Sequence, residues 1–197
     1  MRWAGILFLT AALLSVARGS LAHEFEYAAV LRGPSESPPN ASPAAGTVLI
    51  TLDLDVITMR VEASFAGLTG NVTAAHVHGL TTTPLTGTAG VASLNPTLPS
   101  FPLGVTSGVY DHTVDLTDAS GYSAAFITAS GGTVSDALNA LTFGMADGKT
   151  YFEIDSTAFP GGEIRGFLTL VPEPGSVCVA AVVAIVLTRR RHGNRMI

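Results

Sequence analysis

Short segments in which apolar and polar residues alternate are the feature that most restricts the fold of this chain. Apolar and polar side chains alternate strictly over residues 59–65, beginning with Met59, Arg60 and Val61. A period of two places one face of a β-strand on a core and the other face in water. Residues 47–53 are rich in β-branched side chains, which also favour a strand. The central part of the chain is therefore predicted to be all-β.

Turn-forming residues separate these segments, a pattern typical of an antiparallel β-sandwich with Greek-key connections. An N-terminal strand is expected within residues 23–44, before a Pro- and Ser-rich loop at 33–43. Residues 81–102 have little strand pattern and are predicted to form a mobile excursion that leaves the sheet directly after His78. The other predicted strands are residues 47–53, 59–65, 74–78, 109–116, 124–129, 150–154 and 163–170.

One short helix is predicted over residues 135–143, with Ser135 as its N-terminal cap. Its apolar side would carry Ala137, Leu138 and Leu141. A single β domain over residues 45–171 is long enough to bury one core, so a second domain is not required.

The N-terminus has the zones of a secretory signal in the required order. An early charge at Arg2 is followed by an apolar run over residues 4–17 and by small residues that end at Ala22. This order predicts a signal helix that signal peptidase cleaves after Ala22, and it is favoured over a buried N-terminal helix.

The C-terminal tail, residues 172–197, combines a Pro-Glu-Pro motif, an apolar stretch over 176–188 and an arginine-rich end. The apolar stretch is shorter than the ~20 residues that span a bilayer comfortably, which disfavours a permanent anchor. The tail resembles the PEP-CTERM sorting signal of Gram-negative bacteria. That resemblance implies a short apolar helix held transiently in the inner membrane, cleavage by an exosortase-type enzyme, and release to the envelope or outside. An ordinary short membrane anchor is the alternative. The motif residues are Pro172, Glu173, Pro174, Arg189, Arg190 and Arg191.

Charge and cysteine content exclude several classes of function. Between residues 23 and 171 there are four basic and fourteen acidic residues, so nucleic acid is not expected as a partner. The one cysteine, Cys178, lies in the tail, so the exported domain has neither a disulfide nor a thiolate ligand for metal.

Four motifs occur in an order that resembles the CHRD domain, a domain named from animal chordin and widespread in exported bacterial proteins. The resemblance spans most of residues 45–170. It implies an exported domain, and the strand pattern favours a β-sandwich of immunoglobulin-like or superoxide-dismutase-like type. Its function is open: activity is largely unassigned in bacterial members, and chordin is an extracellular binder of growth factors. The motifs are the segments 65–70, 74–79, 144–156 and 159–166.

The most informative motif for chemistry is the pair His76 and His78, because residues i and i+2 of a strand share a face. With Asp155 they could bind Cu²⁺ or Zn²⁺. The family pattern has a histidine where this chain has Asp155, so a three-histidine site is not expected. The favoured alternative is a hydrogen-bonded polar cluster, with Arg165 pairing Glu163 or Asp155 and with Glu153 nearby.

The segment 160–166 is predicted to be a tight turn that leads into a strand. Its Glu163 and Arg165 could form an exposed pair that contacts a ligand, or one cross-strand ion pair with a structural role. The structural role is favoured. His112 is expected to be a surface residue.

Enzyme signatures are weak. The His-x-His strand is similar to the copper strand of Cu,Zn superoxide dismutase, but residues 81–102 contain neither histidine nor aspartate for the accompanying zinc loop. Hydrolase motifs are also absent from the sequence. We therefore expect a non-enzymatic, cofactor-free binding or structural module of the cell envelope or extracellular matrix, with an envelope polysaccharide or protein as partner. The alternative is a Cu or Zn protein, storage or redox, centred on His76 and His78.

Overall fold

The structure is a computed structural model that describes residues 23–172. The signal helix predicted over residues 1–22 and the apolar helix of the sorting tail lie outside the described residues. Within the described range, no helix is both long and apolar enough to cross a membrane.

In the described residues, eight antiparallel strands form one curled sheet, and this confirms the predicted all-β antiparallel class. The order across the sheet is β4-β6-β7-β1-β2-β3-β5, and β8 pairs with β1. The strands are β1 (Glu24–Arg32), β2 (Ala45–Asp53), β3 (Thr58–Ala66), β4 (Val72–His78), β5 (Gly108–Asp115), β6 (Tyr151–Ser156), β7 (Ile164–Phe167) and β8 (Thr169–Leu170).

The alternating pattern forms the core in the way that the sequence predicts. Ile50 on β2 lies opposite Val61 on β3, and neither is exposed to solvent. Val77 on β4 and Phe152 on β6 are likewise opposite each other and fully buried. Burial of such side chains stabilises a fold by about 1.5–3 kcal/mol each, so this inner face holds the sheet in its curled form.

Within residues 23–172, two α-helices are present where one was expected: α1 (Ala124–Ser130) and α2 (Val134–Ala146). The strand predicted over residues 124–129 is therefore wrong. Local capping explains the helix, because the Ser123 hydroxyl accepts a hydrogen bond from the Phe126 amide at 3.1 Å. Gly131, with φ of 131°, supplies the positive φ that ends the helix.

The cap of α2 is Thr133 and not Ser135, so that part of the prediction is also wrong. The Thr133 hydroxyl accepts from the Asp136 amide at 3.1 Å and donates to the Asp136 carboxylate at 2.7 Å.

We expect Thr133→Ala to lower the free energy of unfolding by about 1 kcal/mol. Ser135→Ala, also exposed, should change it by less than about 0.5 kcal/mol. Urea denaturation checks both, and an equal loss in the two variants would contradict the assignment.

The long connection from β4 to β5, residues 79–107, is hydrogen-bonded along the edge of β4, although the sequence predicts a mobile excursion. The Ala92 amide donates to the Val77 carbonyl at 2.9 Å, and the Leu98 amide donates to the Ala75 carbonyl at 3.0 Å. Ala92 and Leu98 are fully buried. The connection thus covers an edge strand that would otherwise expose unpaired backbone groups. It also brings backbone carbonyls to the two histidines.

Candidate functional site

Strands β4, β6 and β7 bring most of the polar residues singled out by sequence onto one face. His76 lies opposite Glu153, and Glu153 lies opposite Arg165 on its other side. Val77 and Phe152 point to the core from the opposite face of the same strands. The group on the polar face, here called the polar cluster, consists of His76, His78, Glu153, Asp155, Arg165 and the loop residue Glu36.

Two loops cover most of the polar cluster. Glu36 enters from the 33–43 loop and is 5% exposed. The 79–107 connection supplies the carbonyls of Ala89 and Pro96, which contact the histidine rings. The most open position is Asp155, whose side chain retains 15% of its accessible surface.

Backbone carbonyls determine which nitrogen of each histidine carries the proton. His76 Nε2 lies 2.7 Å from the Pro96 carbonyl oxygen, and His78 Nδ1 lies 3.0 Å from that of Ala89. A carbonyl oxygen only accepts, so both of these nitrogens are donors. Burial lowers the pKa of His76, and it lowers the pKa of His78 to about 4. Both rings are therefore neutral at pH 7, each with one free lone pair.

The two free lone pairs point toward carboxyl groups. His76 Nδ1 is 3.6 Å from Asp155 Oδ2, and His78 Nε2 is 3.7 Å from Glu153 Oε1. His78 Nε2 and Asp155 Oδ1 are buried without a hydrogen-bond partner. A neutral imidazole lone pair beside a carboxylate is a contact between two acceptors, which a proton or a cation between them would turn into an attraction.

Three carboxyl groups lie close enough in the polar cluster to affect one another's pKa, with Glu153 between Glu36 and Asp155. Burial raises the pKa of Glu153 to about 8, and the neighbouring carboxylates add to the increase. Burial also raises the pKa of Glu36 to about 7, against the opposing effect of Arg165, and that of Asp155 to about 6. These groups therefore retain protons near neutral pH that exposed carboxylates would have lost.

The guanidinium of Arg165 pairs with a residue that the sequence analysis did not single out. Its Nε donates to the Ser35 carbonyl at 2.6 Å and lies 3.6 Å from Glu36 Oε2. The guanidinium carbon also lies 4.8 Å from the centre of the Tyr151 ring. The predicted pairing with Glu163 or Asp155 is thus corrected to Glu36, because the 33–43 loop folds over β7.

Glu163 belongs to a separate, structural group of contacts. It is fully buried and accepts hydrogen bonds from the Ser42 hydroxyl at 2.6 Å and from the amides of Thr69 and Gly70. The alternative of an exposed Glu163 and Arg165 pair is wrong, since Arg165 is only 4% exposed.

The structure thus brings His76, His78, Glu153 and Asp155 together but leaves Glu163 and His112 elsewhere. His112 lies on β5 and stacks on Tyr110. Sequence reasoning missed Glu36, and the only signal was an isolated acidic residue in a Pro- and Ser-rich loop. As the side chains are placed, no three His, Cys, Asp or Glu groups in residues 23–172 converge tightly enough to hold a metal ion.

A second candidate surface lies away from the polar cluster. An open groove of about 660 Å³ crosses β1, β2 and β3 and is lined in part by Val30, Leu49 and Ser64. Val30 is 53% exposed, which makes the groove a surface available for contact. The groove and the polar cluster are different sites, because none of the cluster residues lines the groove.

Comparison with known proteins gives one match. A family model described as the CHRD domain matches residues 27–168. This range contains all residues of the polar cluster and the whole core-forming part of the sheet. No curated protein and no solved structure shows significant similarity to the chain.

Proposed function

The chain belongs to the CHRD domain family, and from this we propose that it is an exported, non-enzymatic binding or structural module of the cell envelope or extracellular matrix. CHRD domains are typically extracellular. The observation that carries the proposal is the burial of the polar cluster. Its chemically capable side chains are covered by two loops and are at most 15% exposed, which disfavours their direct contact with a substrate.

The groove across β1 to β3 supports a binding role, and an envelope polysaccharide or protein is the proposed partner. We expect Ser64→Arg, which places a long cationic side chain in the groove, to weaken co-sedimentation with envelope polysaccharide and matrix at least several-fold. Ser64 is exposed, so this change leaves the core intact. Ala129→Arg, an equally exposed change on α1, is the matched control and should bind as the unmodified protein does. If the protein neither binds envelope material nor self-associates, the proposal fails.

Sorting through the C-terminal tail is the proposed route to the envelope. It is supported by the Pro-Glu-Pro motif at residues 172–174, the apolar stretch and the terminal arginines. The proposed processing partners are signal peptidase and an exosortase-type enzyme. We expect a variant with alanine at all three motif positions to accumulate unprocessed in the inner membrane, as fractionation and immunoblotting would show. Normal release of that variant would contradict the sorting assignment.

A further inference from the structure

We propose that the polar cluster is a binding site for one divalent transition-metal ion of the Zn²⁺ type, held by His76 Nδ1, His78 Nε2 and the carboxylates of Glu153 and Asp155. This inference goes beyond the exported binding role and does not depend on it. The supporting observations are the hydrogen bonds that hold both imidazole rings and the carboxyl groups that lie next to their free nitrogens.

Each ring is oriented as a metal-ligating imidazole usually is. The nitrogen that would not bind metal donates to a backbone carbonyl, Pro96 for His76 and Ala89 for His78. Such a hydrogen bond selects the tautomer and aims the other lone pair at the ion. His78 is further held by stacking on Tyr151, with ring centres 4.7 Å apart. Two independent carbonyls thus prepare two neighbouring histidines in the same way.

The free nitrogens face oxygen donors at nearly the separation that ligands of one ion have. With bonds of about 2.1 Å, two ligands of a tetrahedral Zn²⁺ lie roughly 3.4 Å apart. The two nitrogen-to-oxygen distances are 3.6 and 3.7 Å. His78 is 91% buried, and its Nε2 atom has no other partner. As placed, no three of these four groups converge, so a single ion is held only when the side chains of Glu153 and Asp155, neighbours on one face of β6, turn towards a common point.

The charges of the polar cluster also match a divalent cation. Glu36, Glu153 and Asp155 carry three negative charges when ionised, and Arg165 supplies one positive charge. A single divalent ion that displaces the protons of these carboxyl groups leaves the buried group neutral, so binding creates no uncompensated buried charge. Imidazole and carboxylate donors without sulfur suit Zn²⁺ better than Ca²⁺ or Mg²⁺, which prefer oxygen ligands alone.

The test uses the full-length protein, freed of metal with a chelator and then titrated with Zn²⁺ by calorimetry, with elemental analysis of the dialysed product. We expect one Zn²⁺ per chain and a rise in Tm, with no comparable effect of Mg²⁺. The key variant is His76→Gln/His78→Asn, because the amide nitrogens of Gln and Asn replace the donors to Pro96 and Ala89 but supply no imidazole lone pair. Its affinity should fall by at least about 100-fold.

The matched control is His112→Asn, which removes a histidine outside the polar cluster and should leave the affinity unchanged. If the double variant does not fold, Asp155→Asn replaces it, since Asp155 is the most open ligand and the change preserves its shape; its affinity should fall by at least about tenfold. A folded wild-type protein that binds no Zn²⁺, or a folded variant of either kind that binds as tightly as wild type, would overturn the proposal.

Discussion

Replacing Glu163 with alanine is expected to lower the free energy of unfolding by about 2–5 kcal/mol, a large part of the 5–15 kcal/mol that stabilises an ordinary domain. The carboxylate accepts from Ser42, Thr69 and Gly70, and so joins the loop after β1 to the turn before β4. Alanine would leave the buried Gly70 amide and the buried Ser42 hydroxyl without their acceptor, and the more exposed Thr69 amide would lose it as well. Each lost partner costs about 1–3 kcal/mol.

Two further variants separate the effect of the Glu163 charge from the effect of its side-chain volume and from that of a surface carboxylate. Glu163→Gln preserves the shape and one acceptor oxygen, so its loss should be smaller than that of the alanine variant. Glu62→Ala removes a half-exposed carboxylate 3.0 Å from Arg60, and such surface pairs contribute about 0–1 kcal/mol. Guanidinium denaturation of the three variants gives the comparison. A loss at Glu163 no greater than that at Glu62 would show that the buried carboxylate does not join the loops.

The second large effect is a fall in stability as the pH rises from about 6.5 to 8 in metal-free buffer. Burial raises the pKa of Glu153 to about 8 and that of Glu36 to about 7, both above their ordinary value of 4.5. A raised carboxyl pKa means that the folded state binds more protons than the unfolded state, so this stability is present below about 4.5 and is lost as the pH rises through the folded pKa.

The histidines contribute with the opposite sign and over another range. Burial lowers the pKa of His78 from 6.5 to about 4, so its contribution is present above 6.5 and is lost as the pH falls toward 4. Between pH 6.5 and 8 the carboxyl groups of Glu36 and Glu153 therefore dominate, because Asp155, with a pKa of about 6, has largely lost its proton by then. One extra bound proton changes the free energy of unfolding by about 1.4 kcal/mol per pH unit. From pH 6.5 to 8, Glu153 alone should therefore lower the free energy of unfolding by about 2 kcal/mol.

Glu153→Gln is the informative variant for this effect, because an amide resembles the protonated carboxyl and does not titrate. Thermal denaturation in a chelating buffer at several pH values should show a flatter profile above pH 6.5 for this variant. Glu62→Gln, the surface control, should keep the wild-type slope. An unchanged slope in Glu153→Gln would show that the polar cluster is not the source of the pH dependence.

Local patterns predicted well wherever the local sequence and the fold favour the same conformation. Residues 59–65 alternate, and β3 buries the inward set that includes Val61. The prediction was wrong at residues 124–129, where apolar composition outweighed two local signals, the Ser123 cap and Gly131. Both signals are visible in the sequence, and they predict α1 when they are given more weight than apolar composition.

The sequence likewise predicts one part of the candidate site, and only the fold shows the rest. The chain sequence by itself determined that His76 and His78 share a strand face, because strand geometry has a period of two. It also indicated the family, because the four motifs and their order along the chain can be recognised without knowing any contact. Only the tertiary structure decided that Glu36 and Arg165 form the pair, that Glu163 joins loops, and that the carbonyls of the 79–107 connection orient both rings. These contacts join segments far apart in the chain, and no local pattern specifies which distant loop closes over a sheet face.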